Sequence, residues 1–158
     1  MLKYLNTQVT FAEVPDEITL CINITGCKNG CKNCHSSYLA QDIGERLSFR
    51  SLHELITEKN KGISCVAFMG GDSDPSRINT LASFLRAHHY PVKIAWYSGR
   101  QELSNSIDLS NFDYIKLGPY KEEFGPLNSR TTNQRFYKVN GKELVDITSK
   151  FWKHETEN

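Results

Sequence analysis

The chain lacks any apolar run long enough to span a bilayer. Its opening residues, MLKYLNTQVTFAEVPDE, lack the apolar centre of a signal peptide and carry acidic groups early. Both absences lead us to expect a cytoplasmic protein with no membrane association. An excess of charge is missing too. Lys and Arg total 19 against 18 for Asp and Glu, a formal net charge of +1. That balance gives no electrostatic basis for general attraction to nucleic acid or to an anionic membrane surface. Internal repeats, low-complexity stretches and domain linkers are absent as well. What is present, 158 residues of which 39% are hydrophobic, suits one core. Residues 1–158 are therefore expected to form a single domain.

Cysteine is scarce but concentrated. Four of the five, Cys21, Cys27, Cys31 and Cys34, fall in one short segment, and Cys65 stands apart. An odd number in a reducing compartment argues against a disulfide framework and for a metal or cluster site. Cys27, Cys31 and Cys34 have the spacing C-x3-C-x2-C. Three thiolates on one short loop can wrap a 4Fe-4S cluster and leave one iron open, the position at which a metal site does chemistry. Gly30 and the neighbouring asparagines suit the tight backbone this wrap requires. Structural zinc is the alternative, with His35 or Cys21 as fourth ligand, but the second C-x2-C knuckle common in zinc sites is missing. Cys21 and Cys65 lie inside apolar segments and read as core residues.

The pattern along the chain is that of alternating strands and helices. Glu17–Thr25 alternates apolar and polar residues as a strand does, and the cysteine loop follows it directly. Ser51 is placed to cap a helix through LHELITEKN, with Glu54 completing a capping box. Ser64–Met69 reads as a strand ending in Gly70-Gly71-Asp72. Asp74 and Pro75 open a second helix, with Ile78, Leu81, Phe84 and Leu85 on one face. Val92–Tyr97 and Asp113–Gly118 read as further strands, the former followed by Ser98-Gly99-Arg100 and a short helix, the latter by Pro119-Tyr120. RFYKV and KELVDI flank Asn140-Gly141, a hairpin turn signal, and SKFWKHETEN suits a short terminal helix. Together these predict an α/β fold, a partial, open (βα) barrel with mostly parallel strands and a C-terminal β-hairpin; a small doubly wound sheet fits the same length. In parallel α/β sheets the carboxyl ends of the strands share one face. The four loops are thus expected to converge on one site.

C-x3-C-x2-C after a first strand, with Gly-Gly-Asp after a second, resembles the radical S-adenosylmethionine superfamily. Tyr97-Ser98-Gly99-Arg100, Leu117-Gly118-Pro119-Tyr120 and LNSRTTNQRFYKV narrow the likeness to the activating proteins of anaerobic ribonucleoside-triphosphate reductase, over about Thr10 to Val139. The resemblance implies a glycyl-radical activase. Its cofactors would be a 4Fe-4S cluster on Cys27, Cys31 and Cys34 and S-adenosyl-L-methionine on the open iron. Its partners would be the large reductase subunit, whose glycine Cα loses a hydrogen to the 5′-deoxyadenosyl radical, and an electron donor such as a flavodoxin. No catalytic residue beyond cluster and cofactor is implied.

Residue by residue, Gly70 and Gly71 match the glycine pair that approaches the amino end of S-adenosylmethionine, and Asp72 stands where Glu is common. Asn33 and His35, beside Cys34, would lie near the open iron, although Asn33 is not the aromatic residue many members carry there. Tyr97, Ser98 and Gly99 would line the ribose or methionine portion. Arg100 is placed either to pair with a carboxylate or to be solvated. Gly118, Pro119 and Tyr120 would shape the mouth of the site or meet the partner. Asn133, Gln134 and Arg135 match without an assigned role. Two other readings stand beside this one: a small radical enzyme acting on a free metabolite of the deazapurine type, and a zinc-stabilised interaction module.

The ligand assignment makes a sharp prediction. Alanine at any one of Cys27, Cys31 or Cys34 should abolish reductive cleavage of S-adenosylmethionine, measured as product formed by the reduced protein. Alanine at Cys65 should lower stability and spare cleavage.

Overall fold

The computed structural model describes residues 1–26, 42–59 and 62–156. They form one open sheet of eight strands in the order β3-β1-β2-β4-β5-β6-β7-β8. Its centre is β2 (Thr19–Ile24), β4 (Cys65–Met69), β5 (Lys93–Tyr97) and β6 (Tyr114–Leu117), each parallel to the next. These are the four strands expected from the sequence, in the expected succession. The flanks are antiparallel. β1 (Lys3–Thr10) and the two-residue β3 (Glu45–Arg46) lie on one side, β7 (Arg135–Asn140) and β8 (Glu143–Asp146) on the other. The fold is therefore mixed α/β, and parallel pairing is confined to the central strands rather than prevailing throughout.

Two α-helices, α1 (Phe49–Lys59) and α2 (Pro75–Ala87), cover one face. Leu52 and Ile56 of α1 and Ile78, Leu81 and Leu85 of α2 bury against Leu20, Ile22, Val66, Phe68, Ile94, Trp96 and Ile115 of the sheet. Burial of each large side chain contributes roughly 1.5–3 kcal/mol, so this face supplies the main core. Cys21, Cys65, Ala67 and Ala95 form much of the opposite face, where Val14, Tyr97, Tyr114 and Phe136 complete a second, smaller cluster. Both Cys21 and Cys65 are core residues, as their placement in apolar segments led us to expect.

Local signals set the element ends, with three differences from the sequence reading. The first helix begins earlier than Ser51. Ser48 and Ser51 hydrogen-bond reciprocally, Ser51 N to Ser48 Oγ at 3.1 Å and Ser48 N to Ser51 Oγ at 2.7 Å, so Ser48 takes the capping role. Glu54 instead meets Arg50 at the surface. The helix expected after β5 does not form. That segment has one turn of 3-10 helix at Leu109–Asn111, capped by Asp108, and Leu103, Ile107 and Leu109 pack against the core from this turn and the irregular chain before it. The C-terminal hairpin is present, but Asn140 pairs with Glu143. Gly141 and Lys142 are its loop, and Gly141 has φ +65°, the conformation a two-residue turn demands. Asp74 caps α2 through Arg77 N, with Pro75 at its start, and Thr148–Thr156 is a 3-10 helix. No described helix is long and apolar enough to cross a membrane.

One buried carboxylate ties the amino-terminal ends of the central strands together. Glu17 accepts hydrogen bonds from Ser64 Oγ at 2.8 Å, Lys93 Nζ at 2.9 Å and Tyr114 OH at 2.9 Å. Burial alone raises its pKa, but the bonds from Lys93, Ser64 and Tyr114 outweigh that and hold it below the usual carboxylate value. A lowered folded-state pKa means stability that is present above the unfolded value, about 4.3, and is lost as pH falls through the folded value. Glu17→Gln should therefore cost about 1–3 kcal/mol at pH 7, with the deficit shrinking below about pH 4. Urea unfolding of both proteins across that pH range measures it.

Candidate functional site

The carboxyl ends of β2, β4, β5 and β6 lie along one edge, and the loops after β4, β5 and β6 are bonded to one another there. Thr25 closes the first. Its Oγ1 donates to the carbonyl of Ile43 at 2.6 Å and its N–H to Lys3 O at 2.9 Å. Thr25 and Ile43 are thus joined at this edge. Gly44 then has φ +104°, and a Cβ there would overlap the carbonyl group of Tyr4. Cys27, Cys31, Cys34, Asn33 and His35 lie outside the described residues.

The loop after β4 leaves no room for side chains. Gly70 has φ +106°, and a Cβ on it would stand 3.3 Å from the carbonyl oxygen of Ile24, the last residue of β2. Gly71 has φ +95°, and its Cβ would come within 2.6 Å of Ile78 Cδ1 on α2. Only glycine satisfies both the angle and the approach. Gly70 N–H donates to Tyr97 O at 3.0 Å, and Gly70 O accepts from Trp96 Nε1 at 2.7 Å. The second loop is thereby held between β2 and β5.

Asp72 joins the loops after β4 and β5. Its side chain is buried, with Oδ1 accepting from Ser98 Oγ at 2.6 Å and Oδ2 from Gly99 N at 2.8 Å. Ser98 Oγ in turn accepts from Arg100 N at 3.1 Å. Lys116, buried in β6, donates to the carbonyls of Ser98 at 3.1 Å and Gly118 at 2.7 Å. Gly118 N–H donates to Arg100 O at 2.6 Å, and Asn133 Nδ2 to Pro119 O at 3.0 Å. Gly118 has φ +109°, and a Cβ would lie 3.1 Å from Gln134 Cα.

Of the residues singled out in the sequence, Gly70, Gly71, Asp72 and Ser98 are brought to one place. Tyr97 borders it, but its side chain turns to the second face. Its hydroxyl donates to Glu13 O, its ring meets Phe136 edge-on, and burial pushes its pKa well above the usual phenol value. Arg100 is exposed. Lys116, Trp96 and Thr25 escaped the sequence reading. A lysine inside the otherwise apolar Tyr114–Leu117 was the available signal for the first. Among the described residues no group of three or more His, Cys, Asp or Glu side chains is placed to hold a metal ion. Burial pushes the thiol pKa of Cys21 up to about 12, with the charge of Glu13 adding to it. Cys21 is 1% exposed and packs in the second core cluster with Cys65, Ala67 and Ala95.

No family model, curated protein or solved structure matches the chain.

The Asp72 bridge predicts its own cost. Asp72→Ala removes the acceptor from a buried hydroxyl and a half-buried N–H, so a loss of about 1–3 kcal/mol is expected in denaturant unfolding. Asp72→Asn, which keeps one acceptor oxygen, should lose less.

Proposed function

We propose that the chain is a radical S-adenosylmethionine enzyme that activates an anaerobic ribonucleotide reductase by generating a glycyl radical on its large subunit. One observation carries the reading. The segment with the C-x3-C-x2-C motif is inserted between Gly26 and Ile43 at the same strand edge where Gly70, Gly71, Asp72 and Ser98 converge. On this reading the sheet is the wall of a partial, open (βα) barrel, and residues 1–158 are one radical S-adenosylmethionine domain.

The residues fit the cofactors that the sequence implies. Cys27, Cys31 and Cys34 are three soft donors of the kind that hold a 4Fe-4S cluster. Gly70 and Gly71 hold positive φ close against Ile24 and Ile78, and the turn they make is proposed to lie beside the amino-acid end of S-adenosylmethionine. Bound there, the pair supplies a one-electron cleavage whose radical product reaches a glycine Cα of the partner; the electron comes from a donor such as a flavodoxin.

The chain's own residues position and enclose. Asp72 and Ser98 bond to each other and to backbone, so they fix the loops against Gly70 beside the proposed cofactor. Asn33 and His35 are assigned to the neighbourhood of the open iron, and Tyr97 to the wall beneath the site. Lys116 holds the loops after β5 and β6 in register.

Anaerobic reconstitution with iron and sulfide tests the reading. About four irons per chain, with methionine and 5′-deoxyadenosine formed on reduction, are expected. Stoichiometric zinc without cleavage would overturn it in favour of an interaction module.

A further inference from the structure

On the face opposite the helices, one rank of side chains runs across the sheet. Asn6 stands abreast of Asn23, Asn23 of Met69, Met69 of Tyr97, Tyr97 of Lys116 and Lys116 of Phe136, and residues abreast share a face. Met69 and Tyr97 are the last residues of β4 and β5, so the rank lies just beneath the carboxyl edge. One end of it is closed. Tyr97, Lys116 and Phe136 are buried, and the ring of Phe151 stands edge-on to Phe136. The other end is open and polar. Asn6 is exposed and Asn23 half-buried, and Asn23 Nδ2 donates to Asn6 Oδ1 at 2.6 Å. Gln8, abreast of Cys21, is exposed beside them. The charge of Glu13 is felt by the Cys21 thiol, so its carboxyl lies near this end too. Burial raises the pKa of Glu13, and no hydrogen bond or cation offsets the rise.

We propose that Asn6 and Asn23 bind one peptide group of the main chain beside the partner's target glycine, with Gln8 and Glu13 flanking it. The proposal rests on the function proposed above and adds how the target is held. A glycine offers no side chain to grip, so a protein that acts at its Cα must hold the main chain on either side. The bond between the two asparagines uses one N–H and one oxygen. It leaves a donor on Asn6 and an acceptor on Asn23, the complement of a peptide C=O and N–H. The irregularity between Tyr4 and Asn6 sets this alignment, since it brings Asn6 rather than Leu5 abreast of Asn23. Asn23 also lies on β2, the strand that leads in sequence into Cys27, so the held main chain is placed at the strand that carries the proposed cluster ligands.

Two probes test it on the reconstituted chain with S-adenosylmethionine. One is the intact large subunit. The other is a synthetic peptide spanning its target glycine, with and without N-methyl groups on the flanking amides. Asn6→Ala and, separately, Asn23→Ala should weaken binding of both probes about tenfold, with iron content and circular dichroism spectrum unchanged. N-methylation should weaken the peptide by a similar factor on the wild-type chain and by little on Asn23→Ala, because both changes remove the same bond. Val145→Ala, on the same face at the far side of the sheet, should bind both probes as the wild type does. Unchanged binding by both asparagine variants, N-methyl losses that add in full to Asn23→Ala, or no binding of the peptide at about 1 mM would overturn the inference and leave the proposed function standing. A wild-type chain that generates no radical on a competent large subunit would overturn both.

Discussion

The carboxylate of Asp72 is the interaction on which the carboxyl edge depends. Parallel strands end with backbone groups that have no partner in the ladder, and buried groups of this kind must find one. Asp72 answers for one of them, the N–H of Gly99, and takes the buried hydroxyl of Ser98 as well. It can do so because Gly70 and Gly71 adopt positive φ and turn the chain sharply after Met69. Trp96 and Tyr97 then hold Gly70 from β5, and Lys116 links the Ser98 carbonyl to Gly118. The loops after β4, β5 and β6 are thus each fixed by a neighbour, and this part of the edge is preorganised as a surface rather than left as separate turns.

This arrangement changes how the site residues are read. Side chains that a motif suggests as ligand contacts are engaged with the protein itself. Glu17 plays the complementary part at the other end of the strands, where it collects Ser64, Lys93 and Tyr114. Two buried carboxylates therefore fix the two ends of the parallel core. The helices pack on one face, and the small residues Cys21, Cys65, Ala67 and Ala95 leave the other face shallow.

The parallel core was legible because its strands are short apolar runs bounded by glycine, asparagine and proline. β4, for example, departs from its expected span by one residue. β1 was not legible. Its residues alternate weakly, and half of it faces water, so the pattern of Asn6, Thr7, Gln8 and Thr10 carries little apolar signal. β3 is two residues long and exists only because Gly44 lets the chain lie against Tyr4. The choice of Ser48 over Ser51 as the cap turns on a reciprocal bond between identical side chains, which spacing alone does not decide. At the site, the glycine pair and the convergence of loops could be read from the sequence. The inward turn of Tyr97 and the bridge from Asp72 to Ser98 could not, since both depend on which face each strand presents.

The central claim is that this strand edge serves a radical reaction aimed at the backbone of another protein. Electron paramagnetic resonance of the reduced, reconstituted chain mixed with S-adenosylmethionine and the large subunit of an anaerobic ribonucleotide reductase tests it most directly. The account predicts a glycyl-type radical on the large subunit that is absent when S-adenosylmethionine is withheld. Cleavage of S-adenosylmethionine with no radical on a competent large subunit would contradict it, and would point to a free metabolite as the substrate.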